Sequence, residues 1–299
     1  MKEKLLDSSC RANEVALNPS LLPHGNGYLL ATRLDAIDPC HCNVAMKAEV
    51  WQYWGRDRIR LDETDKEFQP TGRCLELTDA QDPRLFRVGS AVWMAFCRAW
   101  KQWVVAVNFN HHFERWGEPL TPHYEQNAYL MGRADKNWTW IDGTKDTLDC
   151  IYLWQPFTVA RFDENGCCLE RWQNPHLDLS WPWGRIDGGS PSVLLPSGER
   201  FSVFHSHLGE PRTYYMGGIY HEPEWPYRPI RLLGQPLLCG TQRFTRWPLM
   251  ETSQRCAVVF PCGLVAEPNR LLVSYGVDDC QCAIAEFNYN ELNEYANHP

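Results

Sequence analysis

The chain has 299 residues, of which 44% are hydrophobic and 22% charged, and its formal net charge is −8. An acidic chain without a run of five basic residues is not expected to bind a nucleic-acid backbone. No apolar stretch approaches the roughly 20 residues of a membrane-spanning helix, and the start, MKEKLLDSSCRANE, is charged and lacks the apolar core of a signal peptide. We therefore expect a cytoplasmic globular protein with no membrane partner.

The 13 cysteines are scattered over the chain and odd in number, unlike a disulfide framework. Cys40 and Cys42 flank His41, but their spacing of one residue differs from the two to four residues between the ligands of structural zinc sites. We predict free thiols, no metal site and no organic cofactor.

Short apolar runs rich in β-branched and aromatic residues, separated by Gly, Pro, Asn and Asp, predict strands throughout the chain. In chain order, the clearest runs are 28–33, 91–96, 103–107, 201–204 and 270–275. Helical periodicity is scarce, and the best helical pattern lies at 286–295. The pattern is that of an all-β protein.

A weak internal repeat organises these strands. Five times, a short motif containing Pro or Trp precedes a strand, a turn and a second strand, at intervals of roughly sixty residues. The motifs are Asn18-Pro19-Ser20, Asp82-Pro83-Arg84, Lys136-Asn137-Trp138, Ser190-Pro191-Ser192 and Phe260-Pro261-Cys262. The hairpin after the third motif is the longest and least regular.

Five such units predict a five-bladed β-propeller that spans residues 1–299 as one catalytic domain. In a propeller the first strand of each blade lines the central channel, so the motifs would converge on one axial pocket. A β-sandwich with long loops is the alternative fold. Proline also starts strands in many other settings, so the motifs alone leave both folds open.

Asp82 is the candidate general acid, because Pro83 restricts the adjoining backbone and neighbouring groups can orient the carboxylate. A plain Asp-Pro turn, with Arg84 in a surface ion pair, is the alternative. Arg33 closes the first hairpin and can donate paired hydrogen bonds to sugar hydroxyls or phosphate.

Four further side chains are candidates for binding. Lys136 can meet an anion or be a solvated lysine. His205 and His207 share one face of a strand, where a structural pair is more common than a catalytic one. Asp279 opens a turn after an apolar strand, and turn formation explains it equally well.

The ordered motifs resemble glycoside hydrolase family 130, which comprises β-mannoside phosphorylases, related hydrolases and similar β-mannosyltransferases on a five-bladed propeller. The resemblance is carried by Asn18-Pro19-Ser20 with Arg33, Gln81-Asp82-Pro83-Arg84-Leu85-Phe86, Lys136-Asn137-Trp138, Gly188-Gly189-Ser190-Pro191, Phe204-His205, and Phe260-Pro261-Cys262-Gly263 with Tyr275-Gly276-Val277-Asp278-Asp279. Gln81 departs from the pattern, since many members carry Glu there.

The resemblance implies an inverting enzyme in which Asp82 supplies the proton to the glycosidic oxygen through a hydroxyl of the bound mannose. It implies that the substrate is bound by Asn18, Ser20, Arg33, Arg84, Tyr275 and Asp279, and that Lys136 and His205 lie near phosphate or the acceptor sugar. The expected partners are a mannose-containing oligosaccharide or mannose 1-phosphate, with inorganic phosphate as co-substrate of a phosphorylase.

Several activities stay open at this point. Phosphorolysis leads, because Lys136, His205 and Arg84 can all lie near an anion. Hydrolysis and transfer from a sugar nucleotide are alternatives on the same fold, and a third enzyme class is a propeller that cleaves arabinan or fructan. A non-catalytic propeller that binds glycans or proteins is the alternative that is not an enzyme. The sequence also leaves open a homo-oligomer.

Overall fold

The computed structural model describes residues 1–6, 14–36, 57–98, 101–110, 113–117, 136–244 and 255–297. Over these ranges the chain forms five antiparallel sheets and one short helix. The sheets are the blades of a five-bladed β-propeller, so the predicted fold is confirmed and the β-sandwich is excluded.

The strands follow the chain blade by blade. The first strand, β1, is Lys2–Leu5. Blade 1 consists of β2 (Glu14–His24), β3 (Gly27–Ala36), β4 (Arg58–Thr64) and β5 (Pro70–Thr78). Blade 2 consists of β6 (Gln81–Val88), β7 (Ala91–Arg98), β8 (Lys101–Asn110) and β9 (Phe113–Trp116).

Blade 3 consists of β10 (Thr139–Trp140), β11 (Leu148–Trp154), β12 (Phe157–Phe162) and β13 (Cys168–Asn174). Blade 4 consists of β14 (Val193–Leu194), β15 (Arg200–Leu208), β16 (Thr213–His221) and β17 (Pro229–Leu232), with β18 (Leu238–Cys239) also paired to β16. Blade 5 consists of β19 (Val259–Ala266), β20 (Arg270–Val277) and β21 (Gln281–Asn288), completed by β1. Each predicted repeat motif therefore opens one blade.

The ring is closed by pairing the two ends of the described chain. β1 is the outer strand of blade 5 and runs antiparallel to β21, with Lys2 opposite Glu286 and Leu5 opposite Ala283. The one helix, α1 (Tyr289–Asn297), follows β21 directly. It begins three residues later than predicted because Asn288 and Glu291 exchange capping hydrogen bonds at its start.

The hydrophobic core lies between neighbouring blades, because each sheet packs both of its faces against the next. Aromatic side chains dominate the contact of blades 2 and 3, where Phe86 stacks on Trp140 at 5.1 Å between ring centroids. Blades 4 and 5 meet through a separate apolar cluster that includes Phe201 and Phe287. No helix among the described residues is long and apolar enough to cross a membrane.

β-bulges in the first strands of blades 1 and 2 direct polar side chains to the axis. The register of β2 on β3 shifts between Leu17 and Ser20, and that of β6 on β7 shifts between Gln81 and Arg84. Within these bulges Asn18 (φ 51°) and Asp82 (φ 52°) adopt left-handed backbone conformations. Asn and Asp tolerate this conformation better than other non-glycine residues, which explains their use at these two positions.

Candidate active site

Asp82 is the centre of a buried polar cluster. Its carboxylate Oδ1 accepts hydrogen bonds from Asn18 Nδ2 at 2.8 Å and from Arg33 Nη1 at 3.1 Å. Lys136 Nζ lies 4.0 Å from the other carboxylate oxygen, Oδ2. Blades 1, 2 and 3 each contribute to this contact set, so the predicted convergence of distant motifs is observed here.

The charge balance around Asp82 favours its anionic form. Burial alone would raise the pKa of this carboxyl group. The positive charges of Arg33, Lys136 and Arg84, together with the hydrogen bond from Asn18, outweigh burial and lower the pKa to about 2. At neutral pH Asp82 is therefore a carboxylate before any ligand binds.

Arg33 is shared among three carboxyl groups. It makes a two-point contact with Asp35, with Nε and Nη2 each 3.0 Å from a carboxylate oxygen. Its Nη1 reaches Asp82, and its Nη2 lies 3.4 Å from Oδ2 of Asp57. Arg33 therefore holds Asp82 in place while itself being fixed by Asp35.

Asp57 is half-buried beside this cluster. It accepts a hydrogen bond from Gln81 Nε2 and is hydrogen-bonded to the carboxyl group of Asp35. Burial and the contact with Asp35 raise the pKa of Asp57 to about 7, although the charge of Arg33 acts in the opposite direction. Two carboxyl groups in hydrogen-bond contact must share a proton.

Arg84 is 1% exposed and lies in the interior of the ring. Its guanidinium donates to the carbonyl oxygens of Gly189 at 2.5 Å and Asp82 at 3.0 Å, and to Asn137 Oδ1 at 3.0 Å. It also lies over the ring of Phe260, 5.8 Å from the centroid. These contacts join blades 2, 3, 4 and 5, so the surface ion pair considered for Arg84 is wrong, and its guanidinium is a buried cation that links blades.

His205 lies on the blade 4 side of the same interior. Its ring is 4.6 Å from that of Phe260 and stacks on Tyr214 at 6.0 Å. Burial lowers the pKa of His205 to about 4, with Arg84 and Lys136 contributing in the same direction. The imidazole is therefore neutral at pH 7, and its buried Nδ1 has no hydrogen-bond partner among the described residues.

Asp279 and its neighbour Asp278 follow β20, and both have left-handed backbones. Asp278 is structural, because its carboxylate accepts the backbone N–H groups of Phe244 and Val258, each at 3.0 Å. Burial raises the pKa of Tyr214, whose ring stacks on His205, and the negative charge of Asp279 acts in the same direction.

Two predicted substrate-binding residues are engaged elsewhere. Ser20 is fully buried, and its Oγ accepts the backbone N–H of Leu85 at 2.8 Å, which ties β2 to β6. Tyr275 is buried in the cluster between blades 4 and 5, and its hydroxyl donates to Glu3 of β1. Substrate binding by Ser20 and Tyr275 therefore stays a prediction, and the contacts described for both side chains are structural.

The sequence analysis missed Asp35, Asp57 and Asn137. Asp35 could have been found, because residues two apart in a strand share a face and Arg33 was already a candidate. Asn137 stands in a quoted motif and has the left-handed backbone (φ 65°) seen at Asn18 and Asp82. Asp57 gives no sequence signal, since it reaches the site through backbone contacts of its carbonyl oxygen with Asp79 and Ala80.

The cluster offers an acid or base, hydrogen-bond donors and fixed positive charge at one place. No group of three His, Cys, Asp or Glu side chains in the described ranges is arranged to hold a metal ion. Cys40, His41 and Cys42 lie outside those ranges. The chemistry that the described side chains can perform is proton transfer and anion binding.

No protein-family model matches the sequence, and no curated protein matches it significantly. Solved structures do match. A β-1,2-mannobiose phosphorylase from Listeria innocua, in complex with β-1,2-mannobiose, superposes with a TM-score of 0.68 at 14% identity, covering 99% of both chains. A mannose phosphorylase from Leishmania mexicana, in complex with phosphate ion, gives 0.59 at 14% identity, covering 100% of this chain and 93% of that one.

A third structure comes from the family-130 mannoside phosphorylases, a family that contains glycoside hydrolases targeting β-1,2 mannosidic linkages in Candida mannan. It gives a TM-score of 0.62 at 13% identity, covering 93% of this chain and 85% of that one. At these identities the likeness establishes the architecture. The resemblance seen in the sequence is thus confirmed for the fold: the chain has the five-bladed propeller of the solved family-130 structures.

Proposed function

We propose that the chain is an inverting enzyme that acts on β-mannosides, and that its reaction is phosphorolysis. The observation that carries this proposal is Asp82, a buried carboxylate in a left-handed bulge, held by Asn18 and Arg33 beside the positive charge of Lys136. The shared propeller with mannoside phosphorylases over nearly the whole chain supports the same conclusion.

In the cleavage direction, an oxygen of phosphate attacks the anomeric carbon from the face opposite the glycosidic oxygen. The bond from the anomeric carbon to that oxygen breaks, and the leaving oxygen takes a proton that originates on Asp82 and passes through a mannose hydroxyl. Inversion of a β-bond yields α-mannose 1-phosphate and a sugar shortened by one unit. In synthesis, Asp82 accepts the proton as a base.

The low pKa of Asp82 fits both directions once the phosphate is included. The free enzyme holds a carboxylate, which is the form required of a base. Binding a phosphate anion beside Lys136 adds negative charge near Asp82 and raises its pKa toward the value that a proton donor needs. Phosphate binding therefore favours the uptake of a proton from solvent by Asp82, which then acts as the acid.

The preference for phosphate rests on the positive charge around the carboxylate. Arg33 is largely occupied by its three carboxyl partners, whereas Arg84 donates only to neutral oxygens. Arg84 thus brings positive charge on neutral partners, and Lys136 adds positive charge 4.0 Å from Asp82 Oδ2. His205 offers a buried Nδ1 that has no hydrogen-bond partner among the described residues. We propose that a phosphate ion binds on this side, that no metal or organic cofactor takes part, and that mannose oligosaccharides are the other substrates.

Hydrolysis is the second candidate, and Asp279 is the observation that favours it. An inverting hydrolase needs a second carboxylate to activate water on the face opposite the acid. Asp279 is close enough to raise the pKa of Tyr214, which stacks on His205. The cytoplasmic location and a homo-oligomeric state remain predictions.

The test is an assay of purified protein on a panel of β-linked mannobioses, with and without inorganic phosphate, resolving mannose from mannose 1-phosphate. The panel includes β-1,2-mannobiose because a structural neighbour binds it. Asp82→Asn is the key variant, since Asn tolerates the left-handed backbone at this position. Asp146→Asn, which changes an exposed aspartate outside the site, is the matched control.

We expect mannose 1-phosphate to form only with phosphate present, and Asp82→Asn to lower kcat by about 10³-fold while Asp146→Asn has no effect. Free mannose released without phosphate would establish hydrolysis instead. Activity with a sugar-nucleotide donor alone would establish a transferase. No detectable activity on any of these substrates, or on arabinan and fructan, would favour a non-catalytic binding propeller and contradict the proposal.

A further inference from the structure

Asp57 and the candidate acid Asp82 both contact Arg33, and the reaction proposed above assigns no role to Asp57. It is the third carboxyl group on Arg33, whose guanidinium contacts Asp35, Asp82 and Asp57 at once. A guanidinium has five N–H donors in one rigid plane, so its partners compete for position. A change in the charge of one carboxyl group therefore alters the contacts of Arg33 with the other two.

The groups that face Asp57 come from two strands. Arg33 and Asp35 lie on β3, and Gln81 and Asp82 on β6. Gln81 donates its amide to Asp57, and the backbone N–H groups of Asp79 and Ala80 donate to the Asp57 carbonyl oxygen at 2.8 and 3.4 Å. The backbone is thereby fixed, and the carboxyl group is held between Gln81, Asp35 and Arg33.

We propose that Asp57 is a positioning residue for the acid: its neutral form shares a proton with Asp35 and leaves Arg33 on Asp82, whereas its ionised form competes with Asp82 for Arg33. The kinetic consequence rests on the proposed function, because only a phosphorolytic enzyme has an anionic co-substrate there. The coupling between Asp57 and Asp82 does not depend on the reaction.

The consequence for catalysis follows from charge. With Asp57 neutral, the side chains around Asp82 carry three positive charges, on Arg33, Arg84 and Lys136, against the negative charges of Asp35 and Asp82. Ionisation of Asp57 adds one negative charge and removes the positive excess. Phosphate then binds less tightly, so its KM rises, and Asp82 loses part of its contact with Arg33, so kcat falls as well.

The first arm of the test needs no substrate. Carboxyl carbons of aspartate are followed by ¹³C NMR between pH 5 and 9, and the Asp82 signal is identified by its loss in Asp82→Asn. The variants are Asp57→Asn, which keeps a neutral side chain of the same shape, and Asp62→Asn as control. Asp62 is a buried aspartate paired with an arginine, Arg60, on the neighbouring strand β4.

We expect the Asp82 signal to shift with a midpoint near pH 7 in the unmodified protein and in Asp62→Asn, and to be flat in Asp57→Asn. A flat Asp82 signal in the unmodified protein, or the same midpoint in Asp57→Asn, would overturn the inference. This arm decides the coupling even if no mannoside is turned over, so failure of the proposed function is distinguishable.

The second arm measures KM for phosphate and kcat at pH 5.5 and pH 8. At pH 8 we expect Asp57→Asn to bind phosphate more tightly than the unmodified enzyme, with a KM lower by about threefold or more and a kcat at least as high. At pH 5.5, where Asp57 is neutral in both proteins, the two KM values should agree. Equal KM values at pH 8, or a difference that falls on kcat alone, would contradict the positioning role.

Discussion

At the scale of single residues, the charged neighbours of Asp82 and Asp57 determine the protonation states of these two aspartates. Asp82 is kept anionic by Arg33, Lys136 and Arg84, while burial and Asp35 raise the pKa of Asp57 to about 7. Both aspartates contact Arg33, and their pKa values are displaced in opposite directions. Such separation of pKa values is a common property of acid and base sites.

The raised pKa of Asp57 makes stability depend on pH. Because the folded-state pKa of about 7 lies above the unfolded value, the neutral carboxyl stabilises the fold below about pH 4, and this contribution is lost as the pH rises to 7. Asp57→Asn cannot ionise, so we expect it to exceed the unmodified protein in free energy of unfolding by about 2 kcal/mol at pH 8. Urea unfolding at pH 5 and pH 8 measures this. A difference that does not grow with pH would contradict the assignment.

The guanidinium of Arg84 is a second residue-scale feature with a measurable effect. We expect Arg84→Lys to lower the free energy of unfolding by about 2–4 kcal/mol, because an ammonium group cannot reach the carbonyl of Gly189 and the amide of Asn137 together, which leaves buried acceptors unpaired. Arg98→Lys is the control, since Arg98 also donates to two carbonyl oxygens but its hydrogen bonds are exposed to solvent. Equal losses in the two variants would show that Arg84 does not link the blades.

At the scale of the elements, the β-bulge is the unit that builds the site. The pattern of a polar residue before Pro was readable from the sequence, and so were the strand that follows and its hairpin. The left-handed backbone at Asn18 and Asp82 was not, because it arises from the register shift between two strands, which no local pattern reports. For the same reason the contact of Ser20 was not predicted: its hydroxyl accepts the backbone N–H of Leu85 and ties β2 to β6.

Gly276 of β20 packs against Asn18, so a substitution at Gly276 tests whether the bulge in blade 1 positions Asn18. A Cβ at this position would lie 2.0 Å from Asn18 Oδ1, so Gly276→Ala must displace the amide that holds Asp82. We expect kcat/KM to fall by about 10-fold or more, with a loss of about 1–3 kcal/mol in the free energy of unfolding. Gly117→Ala, whose Cβ would meet Ala106 of blade 2 at 3.3 Å, is the control. Full activity of Gly276→Ala would mean that Asn18 does not position the acid.

At the scale of the whole molecule, five weak repeats predict the ring because a blade cannot bury both faces alone. The number of blades, their order and the position of Asp82 were therefore accessible from the sequence. The closing strand was not, because Lys2–Leu5 is short and exposed and its pairing with β21 spans the length of the chain. The role of Asp57 was hidden for a similar reason, since its partners come from two different blades.

Closure by β1 predicts a loss of stability on truncation. Removing residues 1–5 exposes the edge of β21 and deletes Glu3, which pairs with Arg243 at 2.6 and 2.7 Å and accepts the hydroxyl of Tyr275. We expect the Tm to fall by about 5–10 °C, measured by calorimetry. Lys2→Ser, which keeps the backbone pairing and removes a solvated side chain, should leave the Tm within about 1 °C. An unchanged Tm after truncation would show that β1 does not close the ring.

The central claim is that Asp82 protonates the leaving sugar while phosphate displaces it with inversion. The most direct test uses a β-mannobiose that the enzyme cleaves. Its products are followed by ³¹P and ¹H NMR in phosphate buffer, with the unmodified enzyme and with Asp82→Asn. The account predicts that α-mannose 1-phosphate is the first product and that it is absent with the variant. A β-configured product, release of mannose at the same rate without phosphate, or undiminished turnover by Asp82→Asn would contradict it.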